Sequence, residues 1–358
     1  MTSGRDEQTT VGIIGTGSYL PANIVGNHPV AERAGVSPEW IVAKTGIHSR
    51  RYAAENEATS DLATEAARAA LAAGGITAEE LGWIVVATST PDHPQPATAC
   101  LVQHRIGAWG AASFDINSVC SGFVFALIAA ARLLSSAQDC PADRPYALVI
   151  GADVYSRIID PTDRRTAVLF GDGAGAFLLG PVPAGRGLIG AHLVSHGDRH
   201  DLIHVPAGGS REPASEKTVA DGRHFFRMNG RAVSDYVLSE LPHAVSAVLD
   251  THGVAADSVD HFVPHQANGV LLRKAVSGLG LSRARVHLTV AEHGNTSAAS
   301  IPLAVDVARR QGAFRDGELL LLAGFGGGMS LGTALVRWQD GDSGGHRASA
   351  PTEQAAGE

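Results

Sequence analysis

No run of apolar residues in this chain reaches the roughly 18 needed to cross a bilayer as a helix, so a helical membrane protein is not expected. The opening residues, MTSGRDEQTT, hold no apolar stretch ahead of a cleavage site, and no secretory leader is read there. Basic residues are in deficit. Lys and Arg number 28 against 36 Asp and Glu, and the resulting formal charge of −8 argues against nucleic acid as a partner. Cysteine is scarce as well: Cys100, Cys120 and Cys140 are too few for a disulfide framework and lack the close pairing of a zinc site. These absences leave a reduced, cytoplasmic protein without a structural metal. Aromatics make up only 5% of the chain against 42 glycines, which favours small-residue packing and tight turns.

What the chain does have is an alternation of strands and helices. Apolar patterning predicts strands at 11–15, 83–87, 146–151, 259–263 and 319–323, and helices at 60–73, 120–134, 232–249, 270–279 and 301–311. The strands are continuously apolar, which is the pattern of sheets covered by helices on both faces. Two segments end alike: FGDGAGAFLLG at 170–180 and GFGGGMSLGTALVRW at 324–338 each feed a glycine-rich turn into a strand of small and branched residues. They point to an internal duplication with a boundary near 180–187, giving halves at 11–183 and 184–338. Polar, small-residue ends at 1–10 and 339–358 are expected to be mobile.

One motif misleads. Residues 15–20, GTGSYL, follow a strand and begin like a dinucleotide-binding loop, but Leu20 stands where the third glycine would be and Pro21 follows. The segment reads as a tight β-turn.

Three other positions make sense together. Cys120, in DINSVCSGF, sits where an apolar strand-like run gives way to the helix FVFALIAAARLL. A helix amino end offers unpaired N–H groups and positive potential, which favour a thiolate, and Gly122 would allow close approach of backbone or substrate. His265, in FVPHQAN, lies just past an apolar strand, where α/β sheets present reactive side chains. Asn295, in HGNTSAAS, occupies a polar turn before a helix. Taken singly, each has an ordinary reading: a buried thiol, one of 16 histidines, a helix cap. Together they can do chemistry. A cysteine accepts an acyl group as a thioester, and two N–H donors then hold a second thioester carbonyl as it becomes an enolate by loss of CO2. Each such donor can lower the barrier by about 3–4 kcal/mol.

From about residue 11 to 338 the chain resembles the ketoacyl-ACP synthase III family, through IIGTGSYLP, EWIVAKTGI, DINSVCSGF, DPTDR, FGDGAGA, VPHQAN, HGNTSAAS and GFGGG…ALVRW in that order. The resemblance implies a thiolase-like, duplicated βαβαβαββ fold in five αβαβα layers, a homodimer, and no metal or redox cofactor, with CoA or carrier-protein thioesters as substrates. It implies Cys120, His265 and Asn295 as the catalytic set, an oxyanion hole from the amides of Cys120 and Gly327, and Phe325 as a wall beside the cysteine. It also implies Trp40 and Arg157 stacking on an adenine, and Asn268 near the pantetheine. The run Asp163–Arg165 resembles a family turn with a structural role.

The chain departs from that pattern at the entrance. Lys44 and Val270 replace arginines, Asp235 replaces a carrier-docking lysine, Arg231 replaces a tunnel asparagine, and Gln95 replaces an aromatic that caps the acyl pocket from the partner subunit. Lysine lacks arginine's planar fork, and a polar wall suggests an acyl group larger than acetyl. Two enzyme readings stay open: decarboxylative condensation of acyl-Cys120 with a malonyl thioester on a carrier protein, or transfer of the acyl group to an alcohol or amine with His265 as general base. A non-catalytic, acyl-carrier-binding subunit is a third.

Overall fold

The computed structural model describes residues 10–136 and 143–340. The mobility expected of the termini therefore falls outside the described residues, apart from Thr10, which pairs with Val182 in the first strand, and Gln339 and Asp340. Cys140 also lies outside them.

Among the described residues, ten strands build two five-stranded sheets. The first contains β1 (Thr10–Tyr19), β2 (Leu81–Ala87), β3 (Ala112–Ile116), β4 (Tyr146–Asp153) and β5 (Gly173–Val182), in the order β1-β5-β4-β2-β3. The second contains β6 (Gly187–Ser195), β7 (His261–Pro264), β8 (Arg285–Val286), β9 (Leu319–Gly326) and β10 (Ser330–Arg337), in the order β6-β10-β9-β7-β8. The two orders are the same topology. In each, the first three strands of the order run antiparallel to their neighbours and the last three run parallel.

Helices fill the remaining layers. α1 (Pro38–Thr45) lies near the entrance described below, while α2 (Thr59–Gly74) and α3 (Thr98–Ile106) cover the outer face of the first sheet. α4 (Gly122–Ser135) packs between the sheets, α5 (Gly230–Thr251) and α6 (Gly269–Val276) cover the second sheet, and α7 (Ser300–Arg310) joins α4 in the middle. The sequence GFVFALIAAARLLS of α4 is apolar nearly all round because a helix flanked by two sheets has no water-facing side. Phe123, Leu127 and Val305 of this central layer meet Phe177 of one sheet and Leu322 of the other in one core. The result is the five-layer αβαβα arrangement of the thiolase fold.

The GTGSYL segment is neither a phosphate loop nor a turn. It continues β1 to Tyr19, and its glycines let α2 lie directly on the strand: a Cβ at Gly15 or Gly17 would strike the backbone of residues 66–74. Two second-half elements are shorter than the pattern predicts, while α5 and β9 run longer. Val259 closes a short 3-10 turn ahead of β7, and α6 ends before Gly278.

Candidate active site

Parallel strands present their carboxyl ends on one side, and the site is assembled there. After β3 the chain makes a short 3-10 turn, Val119–Ser121, into α4. Val119 holds φ 48°, an uncommon value for a β-branched residue. Cys120 is thereby placed at the helix amino end, 6% exposed, with its Sγ accepting a hydrogen bond of 3.5 Å from Ser297 Oγ. The thiolate expected from the helix end is not the resting state. Burial pushes the thiol up to about 12, the negative charge of Asp153 adds to this, and the Ser297 hydrogen bond only partly opposes it. The residue that closes over the cysteine is Gly326, where an added Cβ would stand 2.8 Å from the Cys120 nitrogen; at Gly122 it would meet Ala87 Cβ at 3.5 Å and Ile116 O at 3.9 Å. Gly327 follows in the same turn, against Val119 and Ile203.

His265 directly follows β7, and its N–H donates to Ala323 O at 2.8 Å, extending the ladder to β9. The ring is 1% exposed, with Nδ1 2.7 Å from Ser300 Oγ and the Phe325 ring edge-on at 5.1 Å. Burial pushes its pKa down to about 3, against the opposing pull of the Ser297 carbonyl, so the imidazole is neutral. Ser300 Oγ accepts from Gln266 N at 3.3 Å and keeps its own hydrogen; donated to Nδ1, that hydrogen places the ring proton on Nε2.

Asn295 is fixed by its backbone, donating to Leu169 O at 2.8 Å and accepting from Gly171 N at 3.0 Å. Its Oδ1 accepts from Ser297 N at 2.9 Å, which leaves Nδ2 as the outward donor. Ser297, wholly buried, thus touches Cys120, His265 and Asn295 at once. Reading the sequence missed it, since a serine before a helix looks like a cap.

A cavity of about 580 Å³ reaches Asn295 from the surface, between Trp40, Lys44, Arg164, Arg231 and Asn268. Asn268 is a structural clamp there: its Oδ1 caps α6 at Val270 N (2.8 Å) and Leu271 N (3.1 Å), and its Nδ2 donates to Lys44 O at the end of α1 (3.1 Å). Arg157 is not in this cavity. Its guanidinium is captured by the backbone carbonyls of Ala54 (2.9 Å), Glu55 (3.1 Å) and Glu57, and it lines a separate hollow beside Arg33. Arg164 and Arg165, from the run first read as structural only, take the place beside Trp40. Val270 is at the mouth, 40% exposed, and Asp235 is exposed on α5. Gln95 is exposed in the loop before α3.

Behind the cysteine stand three buried rings. Tyr155 stacks on Phe170 with centroids 4.5 Å apart, and Phe226 meets both edge-on at 5.5 and 5.0 Å. The Tyr155 hydroxyl faces Ser89 Oγ at 2.9 Å and lies near Cys120 and Ser297; Phe170 bridges to Asn295. Cys100, on α3, contacts Ser113 Oγ at 3.7 Å, away from this centre.

Residues 114–197 match the family described as 3-oxoacyl-[acyl-carrier-protein] synthase III, and residues 249–338 match its C-terminal part. The chain is 55% identical over 328 residues to the acetoacetyl CoA synthase NphT7 of Streptomyces sp. (strain CL190), covering 91% of this chain and 98% of that protein. It is 46% identical over 330 residues to the beta-ketoacyl-[acyl-carrier-protein] synthase III of Rhodospirillum centenum, again covering 91% and 98%. Among solved structures, 3-oxoacyl-[acyl-carrier-protein] synthase III from Aquifex aeolicus superposes with a TM-score of 0.82 at 36% identity, over 92% of this chain and all of that one. The priming beta-ketosynthase of the R1128 polyketide pathway superposes with a TM-score of 0.84 at 30% identity, over 95% and 99%. With this fold, this assembly at the strand ends and these relatives, the chain belongs to the 3-oxoacyl-ACP synthase III family and is an acyl-transferring condensing enzyme.

Proposed function

We propose that Cys120 carries an acetyl group taken from acetyl-CoA, and that a malonyl thioester held by His265 and Asn295 loses CO2 and attacks that acetyl carbon. The observation that carries this reading is the contact of one buried residue, Ser297, with all three side chains. The donors are arranged for an anion: Nε2–H of a neutral His265 and Nδ2 of an orientation-locked Asn295. As the malonyl C–CO2 bond breaks, negative charge reaches the thioester oxygen, where each donor is worth about 3–4 kcal/mol. The enolate carbon then bonds to the acetyl carbon, the amides of Cys120 and Gly327 receive the oxyanion, and the Cys120 thiolate leaves. The product is an acetoacetyl thioester, and decarboxylation supplies the carbanion without metal or redox cofactor.

A short starter follows from the wall of rings. Tyr155, Phe170 and Phe226 are each no more than 4% exposed and pack against one another with Tyr155 near Cys120, a close-packed side that favours a short acyl group. CoA as the carrier is favoured by the entrance, where Lys44, Arg164, Arg165, Arg231 and Lys274 concentrate positive charge on a protein of net charge −8. That suits a nucleotide with several phosphates, and the closely similar protein named acetoacetyl CoA synthase fits the same reading. Transfer to an alcohol or amine would require His265 to accept a proton, which burial resists.

We further propose a cytoplasmic homodimer. β3 is the open edge of the first sheet, next to the loop that carries Gln95, and a second copy pairing there would place Gln95 at the partner's site. Among the described residues, no helix is long and apolar enough to cross a membrane.

Intact-protein mass spectrometry tests the chemistry. Acetyl-CoA is expected to leave one acetyl group on the wild type and none on Cys120→Ala, and malonyl-CoA is expected to clear it with release of CO2. Clearance by malonyl-carrier protein alone would reassign the extender. An adduct that survives both would remove the condensing reading.

A further inference from the structure

Acylation requires Cys120 to lose a proton, and the histidine of the site is ill suited to take it. His265 is neutral, and protonating it from the thiol would create two opposite charges where water is excluded. Asp153, at the end of β4, is placed differently. It is wholly buried, and its Oδ1 is saturated by the loop after β2, with Ser89 N at 2.9 Å, Thr90 Oγ1 at 2.8 Å and Thr90 N, Thr88 Oγ1 and Ser89 Oγ each at 3.1 Å. Oδ2 faces the turn before α7, where it accepts from Ala298 N at 3.2 Å, and the hydroxyl of the preceding residue, Ser297, helps to hold the Asp153 charge. That hydroxyl is the one standing 3.5 Å from Cys120 Sγ. It is held in place by a backbone at φ 51°, a conformation that L-residues rarely adopt. A strained residue inside a reaction centre is an observation that asks for a purpose.

We infer that Ser297 and Asp153 form a proton path from Cys120: the Ser297 hydroxyl turns its hydrogen from Sγ to Asp153, and the thiol proton passes to Ser297 Oγ as the serine's own proton passes to the carboxylate, freeing the sulphur to attack the acyl thioester. The inference rests on Cys120 being the acyl-carrying nucleophile. The S–H bond breaks and the sulphur's electron pair forms the new bond to the acyl carbon. The bond from that carbon to the CoA sulphur then breaks, and the leaving thiolate recovers the proton by the same hydroxyl. Asp153 ends as it began. The transfer moves one negative charge from carboxylate to sulphur and creates none, and burial, which raises the carboxyl's affinity for a proton, assists it. The titratable groups facing Asp153 are Cys120, from the turn before α4, and Tyr155, from the segment after β4. The loop after β2 and the turn before α7 supply only neutral donors.

The test is the rate of Cys120 acetylation by acetyl-CoA, followed by rapid quench and intact-protein mass from acid to alkaline pH. Wild type is expected to reach a plateau once Asp153 is ionised. Asp153→Asn should be slower by about 100-fold at neutral pH and should climb about tenfold per pH unit toward the thiol's own ionisation. Ser297→Ala should show the same climbing profile, and it decides the matter alone if Asp153→Asn does not fold. A folded variant of either kind that keeps the wild-type plateau overturns the path. A wild type that is not acetylated on Cys120 removes the underlying function as well, so the two failures are told apart.

Discussion

The turn Val119–Ser121 before α4 and the turn Ser297–Ala299 before α7 are one piece of backbone used twice. Each follows the edge strand of its sheet, opens on a non-glycine residue at positive φ (48° and 51°) and runs into a central helix. Matched residue for residue, Cys120 corresponds to Ala298. The strands above them match too. Gly324 pairs with Gly332 and would press a Cβ to 3.1 Å from Ser121 Cα, while Gly151 pairs with Gly175 and would strike Ala298 O. Two residues further on the halves part. Gly326 leaves room over the cysteine, whereas Asp153 fills the equivalent space with a carboxylate bonded to Ala298 N. The fold therefore offers two equivalent helix amino ends, and what faces each one decides which becomes the nucleophile's seat.

Moving the sulphur tests that most severely. Cys120→Ala should lose acetylation entirely, a deficit on the order of 10⁴-fold or more for removal of a nucleophile. The double variant Cys120→Ala/Ala298→Cys puts a sulphur at the equivalent helix end, beneath Asp153 and without a glycine above it. It should remain unacetylated by intact-protein mass. An adduct on residue 298 would mean that the helix end suffices and that the facing strand is incidental.

A smaller effect sharpens the same contrast. Gly326→Ala sets a Cβ 2.8 Å from the Cys120 nitrogen, where neither backbone can yield, so a loss of about 1–3 kcal/mol in stability is expected with a matching fall in acetylation rate. Gly122→Ala, in ordinary contact at 3.5 Å, should hold or gain stability by roughly 0.5–1 kcal/mol. Urea unfolding midpoints separate the two. Equal behaviour of the pair would show that space over the cysteine comes from elsewhere.

These contrasts mark what could be read from the chain. Cys120, His265 and Asn295 could be singled out because each stands in a motif at a strand or helix end, and the repeated glycine-rich turns pointed to the duplication that the two matching sheets show. Pairwise tertiary facts were not legible. Ser297 acts on a sulphur 177 positions away, through a backbone angle that no local pattern announces. Arg164 was hidden in a charged run that reads as a turn, and only the fold brings it beside Trp40, while Arg157 is diverted by backbone carbonyls. Tyr155, Phe170 and Phe226 lie far apart in the sequence and form one cluster in space. The thiolate expectation failed for a related reason: the helix end is a local feature, whereas burial is a property of all five layers.

The gentlest probe concerns the histidine that only one of the two turns possesses. His265 lies against Ser297 and Ser300, while the equivalent strand end in the first half, at Ala87 and Thr88, has no titratable group. Its pKa is pushed down to about 3 by burial, against roughly 6.5 in an unfolded chain. Between those values the unfolded state binds a proton that the folded state does not, so stability is full above the unfolded value and drains as pH falls through the window. The slope is up to about 1.4 kcal/mol per pH unit for each such group. His287, pushed down to about 4, adds its own share over the upper part of the window. His265→Asn should therefore flatten the acid limb of stability, measured by urea unfolding at stepped pH, by about one proton's worth while leaving the His287 contribution. An unchanged limb would mean that the folded site already tolerates a charged ring at residue 265, and the neutral donor assigned to His265 would have to be abandoned.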